Sequence, residues 1–439
     1  MFDFFRRWRV GRMCLVLVAA VAVGTLAMIA AYALPTGPML HHAQKSASIY
    51  EVEGVYYTWA PGKQSAAIDN WTNALIVRSA IFPGSGDVVR DAMLNPSLRY
   101  QSQHEVEDLL HQLHGDVPVF VQPYSHYWHG YLVVLKPLLA LMSLSYLRML
   151  NLLVQVCLTA YLLLLLGRQL GVRVAAAYFL AYLLLNPVSL AMSFQFTPVY
   201  YIAAGLTIFV LRRPAWLAER RRYVELFLLA GILTAFFDLL TYPFVTLGIP
   251  LAAFFMMRVQ AGALALREGW RMLAASFVSW GTGYGGMYIG KWVAGWLLTG
   301  VNIPFGAMQE GLYRMSSHTR EGEGAHAFNA LTVSLKNVMI PLHEPIGIVL
   351  IVCAAAGLWC LWRHGAAARL AERRTLCWLL GAVALLPFVW YFALTNHSYV
   401  HAWMSYRELA ISVFALGGLL GLLLPGCRQG GGKEGDGDA

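Results

Sequence analysis

Apolar residues in this chain come in long unbroken runs separated by polar stretches, without the strict alternation that marks half-buried strands. A helix that crosses about 30 Å of hydrocarbon needs roughly 20 apolar residues, and fewer where it packs inside a bundle. Candidate spans are Met13–Leu34, Met149–Leu166, Val174–Pro187, Val199–Leu211, Val224–Leu240 and Phe244–Met257, followed by Met272–Gly290, Ile346–Trp362, Leu376–Leu394 and Ala410–Leu424. The pattern predicts an all-α polytopic membrane protein of about ten transmembrane helices with two large extracytoplasmic loops. A cytoplasmic N-terminus (1–12) leads to the first span (13–34) and a large outer loop with juxtamembrane helices (35–148). Spans two to seven (149–291), a second outer loop (292–345) and spans eight to ten (346–425) follow, then a disordered cytoplasmic tail (426–439) carrying GGGKEGDGD.

Arginine placement sets the orientation. With the N-terminus inside, the cytoplasmic face receives Arg6, Arg7, Arg9 and Arg12, then Arg168 and Arg173, then Arg212, Arg213 and Arg220 to Arg222. Arg258, Arg267, Arg271, Arg363, Arg369, Arg373, Arg374, Arg428 and Lys433 follow the same rule, while the short outer loops 187–198 and 241–243 carry no Lys or Arg. Tyr131–Tyr146 is apolar enough to compete as a span, but counting it would invert every later loop. It is short and holds Lys136 and Pro137, so it is expected as a helix at the outer interface. The first apolar run exceeds the core of a signal peptide, which makes it an uncleaved anchor in the plasma membrane, with both termini cytoplasmic.

Composition agrees with lipid as the solvent: 58% of residues are hydrophobic and only 13% charged, against about 25% charged in soluble domains. The net charge of +9 is explained by positive inner loops, and with no basic run interleaved with aromatics no nucleic-acid partner is expected. The six cysteines lie in apolar spans or beside Arg-rich stretches, so neither a disulfide framework nor a zinc cluster is expected. No cofactor motif stands out. Trp280-Gly-Thr-Gly-Tyr-Gly-Gly286 lies in a span and lacks the P-loop lysine; Gly281/Gly285 and Gly286/Gly290 read as close helix packing.

Polar chemistry gathers in the outer segments. Every histidine except His364 falls there, including the pairs His126/His129 and His397/His401. Tyr124-Ser-His126-Tyr-Trp-His129 places two imidazoles on one helical face, if the segment is helical, beside aromatics that equally suit a membrane-interface belt. Asn396-His397-Ser-Tyr-Val-His401 continues to Tyr406-Arg407-Glu408 at the mouth of the last span. An ionisable pair entering the bilayer is costly, so Arg407 either grips a lipid phosphate, aided by His397 and His401, or forms a structural ion pair. Asp69, next to Asn70-Trp71-Thr72, caps a helix-like stretch and could also serve as a general base. Asp238 is a carboxylate in an apolar setting that calls for a partner. The candidate substrate-binding set is therefore Trp71, Tyr124, His126, His129, Asp238, Asn396, His397, His401, Tyr406 and Arg407, with Asp69 catalytic and no metal ligands.

The layout resembles the GT-C superfamily of integral-membrane glycosyltransferases. The stretch Tyr146-Leu-Arg148-Met-Leu-Asn151 through Leu166-Gly-Arg168, then Arg173-Val-Ala-Ala-Ala-Tyr178 to Pro187, is similar to their second and third spans. The resemblance implies a polyprenyl-phosphate-linked sugar donor, an envelope glycan, lipid or protein acceptor, and inverting displacement with a loop carboxylate as base. In that family the acid follows the first span more closely than Asp69 does, so Glu51 and Glu53 compete for the role. A transporter or flippase, and an enzyme like an O-antigen ligase or polymerase with a diphosphate-linked donor, are the alternatives.

Overall fold

A computed structural model describes residues 7–319 and 328–424, with side chains from Val10 onward. His326 and the tail 426–439 lie outside the described residues. The secondary structure of the described residues is helical apart from one small antiparallel pair of strands, Ser97–Arg99 and Phe120–Gln122, in register Leu98 to Val121, and an isolated bridge between Thr58 and Ala67. Each of the ten apolar runs coincides with a helix or helix pair. Among the described residues, five helical stretches have the length and hydropathy to cross a membrane: Val10–Tyr32, Leu144–Leu170, Pro345–Arg363, Arg374–Ala393 and Ala402–Leu423. Apolar side chains such as Leu15, Val18, Leu153 and Ile348 stand exposed along them. With water as solvent that surface would oppose folding; against lipid it does not. This is a membrane protein. Four of the remaining runs form shorter apolar helices, Val172–Leu184, Thr197–Arg212, Tyr223–Phe237 and Val245–Gln260, and the fifth, Met272–Gly290, lies within the 34-residue helix Leu266–Thr299.

The Tyr131–Tyr146 segment is a ten-residue helix, Leu132–Leu141, that breaks before the next helix starts at Leu144. At 1.5 Å per residue it is about 15 Å long, half the hydrocarbon thickness. Its Lys136 is fully buried, donates to the Ala80 carbonyl at 2.7 Å and lies 4.8 Å from the Tyr32 ring.

The first long loop is folded. Helices Asn70–Ala80 and Glu105–His114 pack around a buried ion network, in which Arg78 bridges Glu105 and Asp108 while Arg99 meets the same two carboxylates, and Val88–Leu94 packs instead against the first helix and the Leu266–Thr299 helix. Two cations against two anions neutralise charges that would otherwise be stranded out of water. A second anchor is the ion pair of Arg148 and Glu53 at 2.6 Å; the Asn70 side chain donates to Glu53 at 2.9 Å. Glu53 is therefore occupied in holding the first turn of the Asn70–Ala80 helix, and Glu51 is exposed.

Glycines let the Leu266–Thr299 helix approach both the first helix and the Tyr223–Phe237 helix, but only two of those expected take part. A Cβ on Gly286 or Gly290 would meet Leu17 or Val21 of the first helix, whereas Gly281 and Gly285 face open space. The tightest approach is at Gly231 and Gly283, where an added Cβ would lie 2.1 Å from the carbonyl oxygens of Trp280 and Leu228. The four-residue spacing therefore marks two of the four contacts and misses the backbone-to-backbone one.

Candidate functional site

A cavity of about 790 Å³ opens among the long segment between the first two candidate spans, the Ile303–Met315 and Ala330–Leu342 helices and the 395–404 segment. Asp69 lies on its wall at the N-cap of the Asn70–Ala80 helix. Its Oδ1 accepts from the Thr72 amide at 3.0 Å, and Oδ2 accepts from the Thr72 hydroxyl at 2.6 Å and from the Gln195 side chain. Three donors fill most of the roughly four acceptor positions of a carboxylate, leaving room for about one more hydroxyl. Burial pushes the Asp69 carboxyl above its usual range, against the opposing pull of the Thr72 and Gln195 donors and the Arg407 charge. The sequence reading of a capping aspartate beside a polar loop thus describes one carboxylate with both properties, since the cap uses its oxygens without removing it from the cavity.

The same cavity carries a cationic wall. Arg314 pairs with Glu310 at 2.9 Å, and its Nη1 donates to His401 Nε2 at 3.0 Å and to His397 Nδ1 at 3.4 Å. These contacts fix the tautomers. His397 Nε2–H donates to the Leu240 carbonyl at 2.6 Å, so its Nδ1 is free to accept. His401 must accept through Nε2 and is neutral. Burial and the adjacent Arg314 pull its pKa down to about 3, and burial, His401 and Arg314 push that of His397 the same way. Neither imidazole carries charge at neutral pH; the positive charge belongs to Arg314 and to Lys336, whose Nζ sits 3.8 Å from the Tyr399 ring centre and donates to the Tyr399 carbonyl at 2.9 Å. Arg314 Nη2 takes part in none of the contacts above.

Of the residues singled out from the sequence, Asp69, Trp71, Tyr124, His397 and His401 line the cavity together. The rest do not. His126 and His129 share no helical face: they lie in a turn, with His129 at φ +56°, because Gly130 is pressed against Phe236 and the Trp128 indole donates to the Met287 carbonyl. The His129 ring turns inward between the Tyr131 hydroxyl and the Tyr124 carbonyl, and half-buried His126 lies at a ring distance of 6.5 Å from Tyr124. Asn396 donates to the His318 carbonyl at 2.8 Å. Asp238 meets neither Arg407 nor a histidine; it accepts from the amide and hydroxyl of Thr241, closing the turn that presents the Leu240 carbonyl to His397.

Arg407 is the main correction. It is fully buried and does not line the cavity. Its guanidinium donates to the carbonyls of Leu185 at 2.9 Å and Trp403 at 3.1 Å, with longer contacts to Ser65 and Met404. It is stacked over Phe196, 4.2 Å from the ring centre, with Tyr406, itself buried, at 4.9 Å. The expected Arg407–Glu408 pair does not form either, because Glu408 turns away to accept from the Phe244 amide at 3.0 Å. Arg407 thus clamps the Ser65 turn that leads into Asp69, and cannot touch a phosphate in the cavity from where it stands.

Arg314, Lys336, Gln195, Tyr127 and Trp403 are wall residues the sequence reading missed. One signal was available: Glu310 and Arg314 stand four apart on a loop helix, next to a histidine-rich outer segment. Among the described residues no three His, Cys, Asp or Glu side chains gather as metal ligands. No family model, curated protein or solved structure matches the chain.

Proposed function

We propose that this protein is a GT-C-like membrane glycosyltransferase of about ten spans, transferring a sugar from a polyprenyl-phosphate carrier to an envelope glycan, lipid or protein at the outer face of the plasma membrane. One observation carries the reading: a carboxylate with a spare acceptor position and a guanidinium flanked by two neutral imidazoles line one cavity of about 790 Å³, beside helices long enough to span a bilayer. That combination suits displacement at an anomeric carbon. The acceptor hydroxyl gives its proton to Asp69 as its oxygen bonds to the anomeric carbon. The bond from that carbon to the phosphate oxygen breaks, and its electron pair leaves with the phosphate. Arg314 and Lys336 stabilise the departing negative charge, a contribution that grows as charge develops. Trp71 and Trp403 supply flat apolar faces for sugar rings.

The raised pKa of Asp69 supports the role, because a base poised nearer neutrality transfers protons more effectively than an ordinary carboxylate. Asp69→Asn is the decisive variant. Asparagine caps helices as well as aspartate, so the fold is retained while the base is lost. Mass spectrometry of envelope glycans from cells making the wild type or Asp69→Asn should show the product missing from the variant, with transfer reduced on the order of 10²–10⁴-fold. Unchanged glycans from a well-inserted Asp69→Asn protein would refute the assignment.

A further inference from the structure

A second, smaller cavity of about 350 Å³ shares Gln64 and Lys336 with the wall of the first, so the two adjoin across those side chains. Its other lining residues include Lys63, His343 and Glu344. The volume falls in the range of roughly 300–1,000 Å³ typical of small-molecule sites. Gln64 belongs to the turn that runs directly into Asp69, so a guest here is joined by five residues of chain to the proposed base.

The charges in this lobe are unevenly committed. Lys63 donates to the His343 carbonyl at 3.0 Å, and its Nζ is 4.0 Å from the Glu344 carboxylate, the outer limit of an ion pair. Lys336 donates to the Tyr399 carbonyl. Each ammonium has three donors, and each uses one on a backbone oxygen. Two lysines and one carboxylate therefore line the lobe, the carboxylate on a side chain only 7% exposed and Lys63 on one 40% exposed. A neutral guest would leave this excess positive charge unmatched; an anionic one would match it.

We infer that this lobe is the acceptor subsite and that it selects a sugar bearing an anionic substituent, a carboxylate or a phosphate, held between Lys63 and Lys336. The assignment rests on the glycosyltransferase reading for the word acceptor, but the anion site itself does not need catalysis to be seen. Such a guest would set its own hydroxyls toward the main cavity through the Gln64 and Lys336 boundary, while the donor phosphate occupies the Arg314 end. Anion recognition and donor recognition are then carried by different residues, with Lys336 common to both.

The test is equilibrium binding of glucuronate, glucose 6-phosphate and glucose to the full-length protein in lipid nanodiscs, read by saturation-transfer NMR without any donor present. The two anionic sugars should bind saturably and glucose at least about tenfold more weakly. Lys63→Gln should weaken the anionic sugars about tenfold, the loss expected for one charge-assisted contact, and Lys63→Arg should restore most of it. Arg314→Gln should leave glucuronate binding in place. Whichever anionic sugar binds more tightly identifies carboxylate or phosphate as the group read. Glucose binding as tightly as the anions, or Lys63→Gln without effect, would overturn the proposal. So would loss of glucuronate binding in Arg314→Gln, which would put the anion in the main cavity. A transfer reaction that survives Asp69→Asn would sink the catalytic assignment and leave these binding results untouched, so the two failures are separable.

Discussion

Replacing Arg407 with methionine separates a clamp from a ligand. The side chain makes two well-formed hydrogen bonds, to Leu185 and Trp403, and two long ones, to Ser65 and Met404. A hydrogen bond from a charged donor contributes about 1.5–3 kcal/mol net, so the two good ones set a gross loss of about 3–6 kcal/mol. Methionine fills much of the same space and no longer has to desolvate a charge, which returns part of it. The expected net destabilisation is about 2–4 kcal/mol, visible as a smaller folded, membrane-inserted fraction and a lower thermal-inactivation midpoint. Activity per folded molecule should persist with an altered pH dependence. The Arg407 charge lowers the pKa of Asp69, so its removal lets burial push that carboxyl further up. A base works only when deprotonated, and the rise of rate with pH should therefore move to higher pH. A folded Arg407→Met that keeps the wild-type pH profile while its donor KM rises tenfold or more would refute the clamp. That result would mean the guanidinium reaches the donor after all.

Glu53→Gln breaks the half-buried pair with Arg148 and should lower the thermal-inactivation midpoint while kcat stays within about twofold, whereas a catalytic Glu53 would lose kcat. Gly283→Leu should strongly reduce folded protein because its side chain would collide with the Leu228 backbone; Gly281→Ala, facing open space, should be neutral or gain up to about 1 kcal/mol, both read as folded yield by detergent size-exclusion chromatography. Nitrogen-15 NMR of labelled histidines should show His401 neutral down to about pH 4, since its pKa lies near 3, and a His401 signal titrating between pH 5 and 7 would contradict the Arg314 contact.

Helices were readable in the sequence because their cause is local: a run of apolar residues in lipid leaves the backbone little choice but to bond to itself. Asp69 was readable for a similar reason, since a cap depends on the three residues after it. The cavity wall was harder. Arg314 sits on an ordinary loop helix and becomes part of a site only through His397 and His401, far along the chain; its local spacing from Glu310 marks an ion pair and not a cavity wall. Arg407 misled in the opposite way. Its place at the head of the last apolar run marks it as costly, but cost does not say whether carbonyls or a phosphate compensate it; the Phe196 ring and the Leu185 carbonyl, both distant in sequence, decide. The His126/His129 spacing suggested a helical face, and the close contact of Gly130 with Phe236 made a turn there instead.

Asp69 comes from the segment after the first helix, Gln195 from between two early helices, and Arg314, His397 and His401 from the last third of the chain. During synthesis the carboxylate emerges long before its cationic counterpart exists. A ribosome-bound intermediate with the first several helices inserted can cap the Asn70–Ala80 helix, yet it has no His401 or Arg314 to complete the cavity. The Lys63 contact to His343 likewise cannot close until the Ala330–Leu342 helix, just ahead of the eighth apolar run, has emerged. Completion of the cavity is thus a late event in biogenesis, and a product truncated before residue 397 would lack the wall that His397 and His401 build.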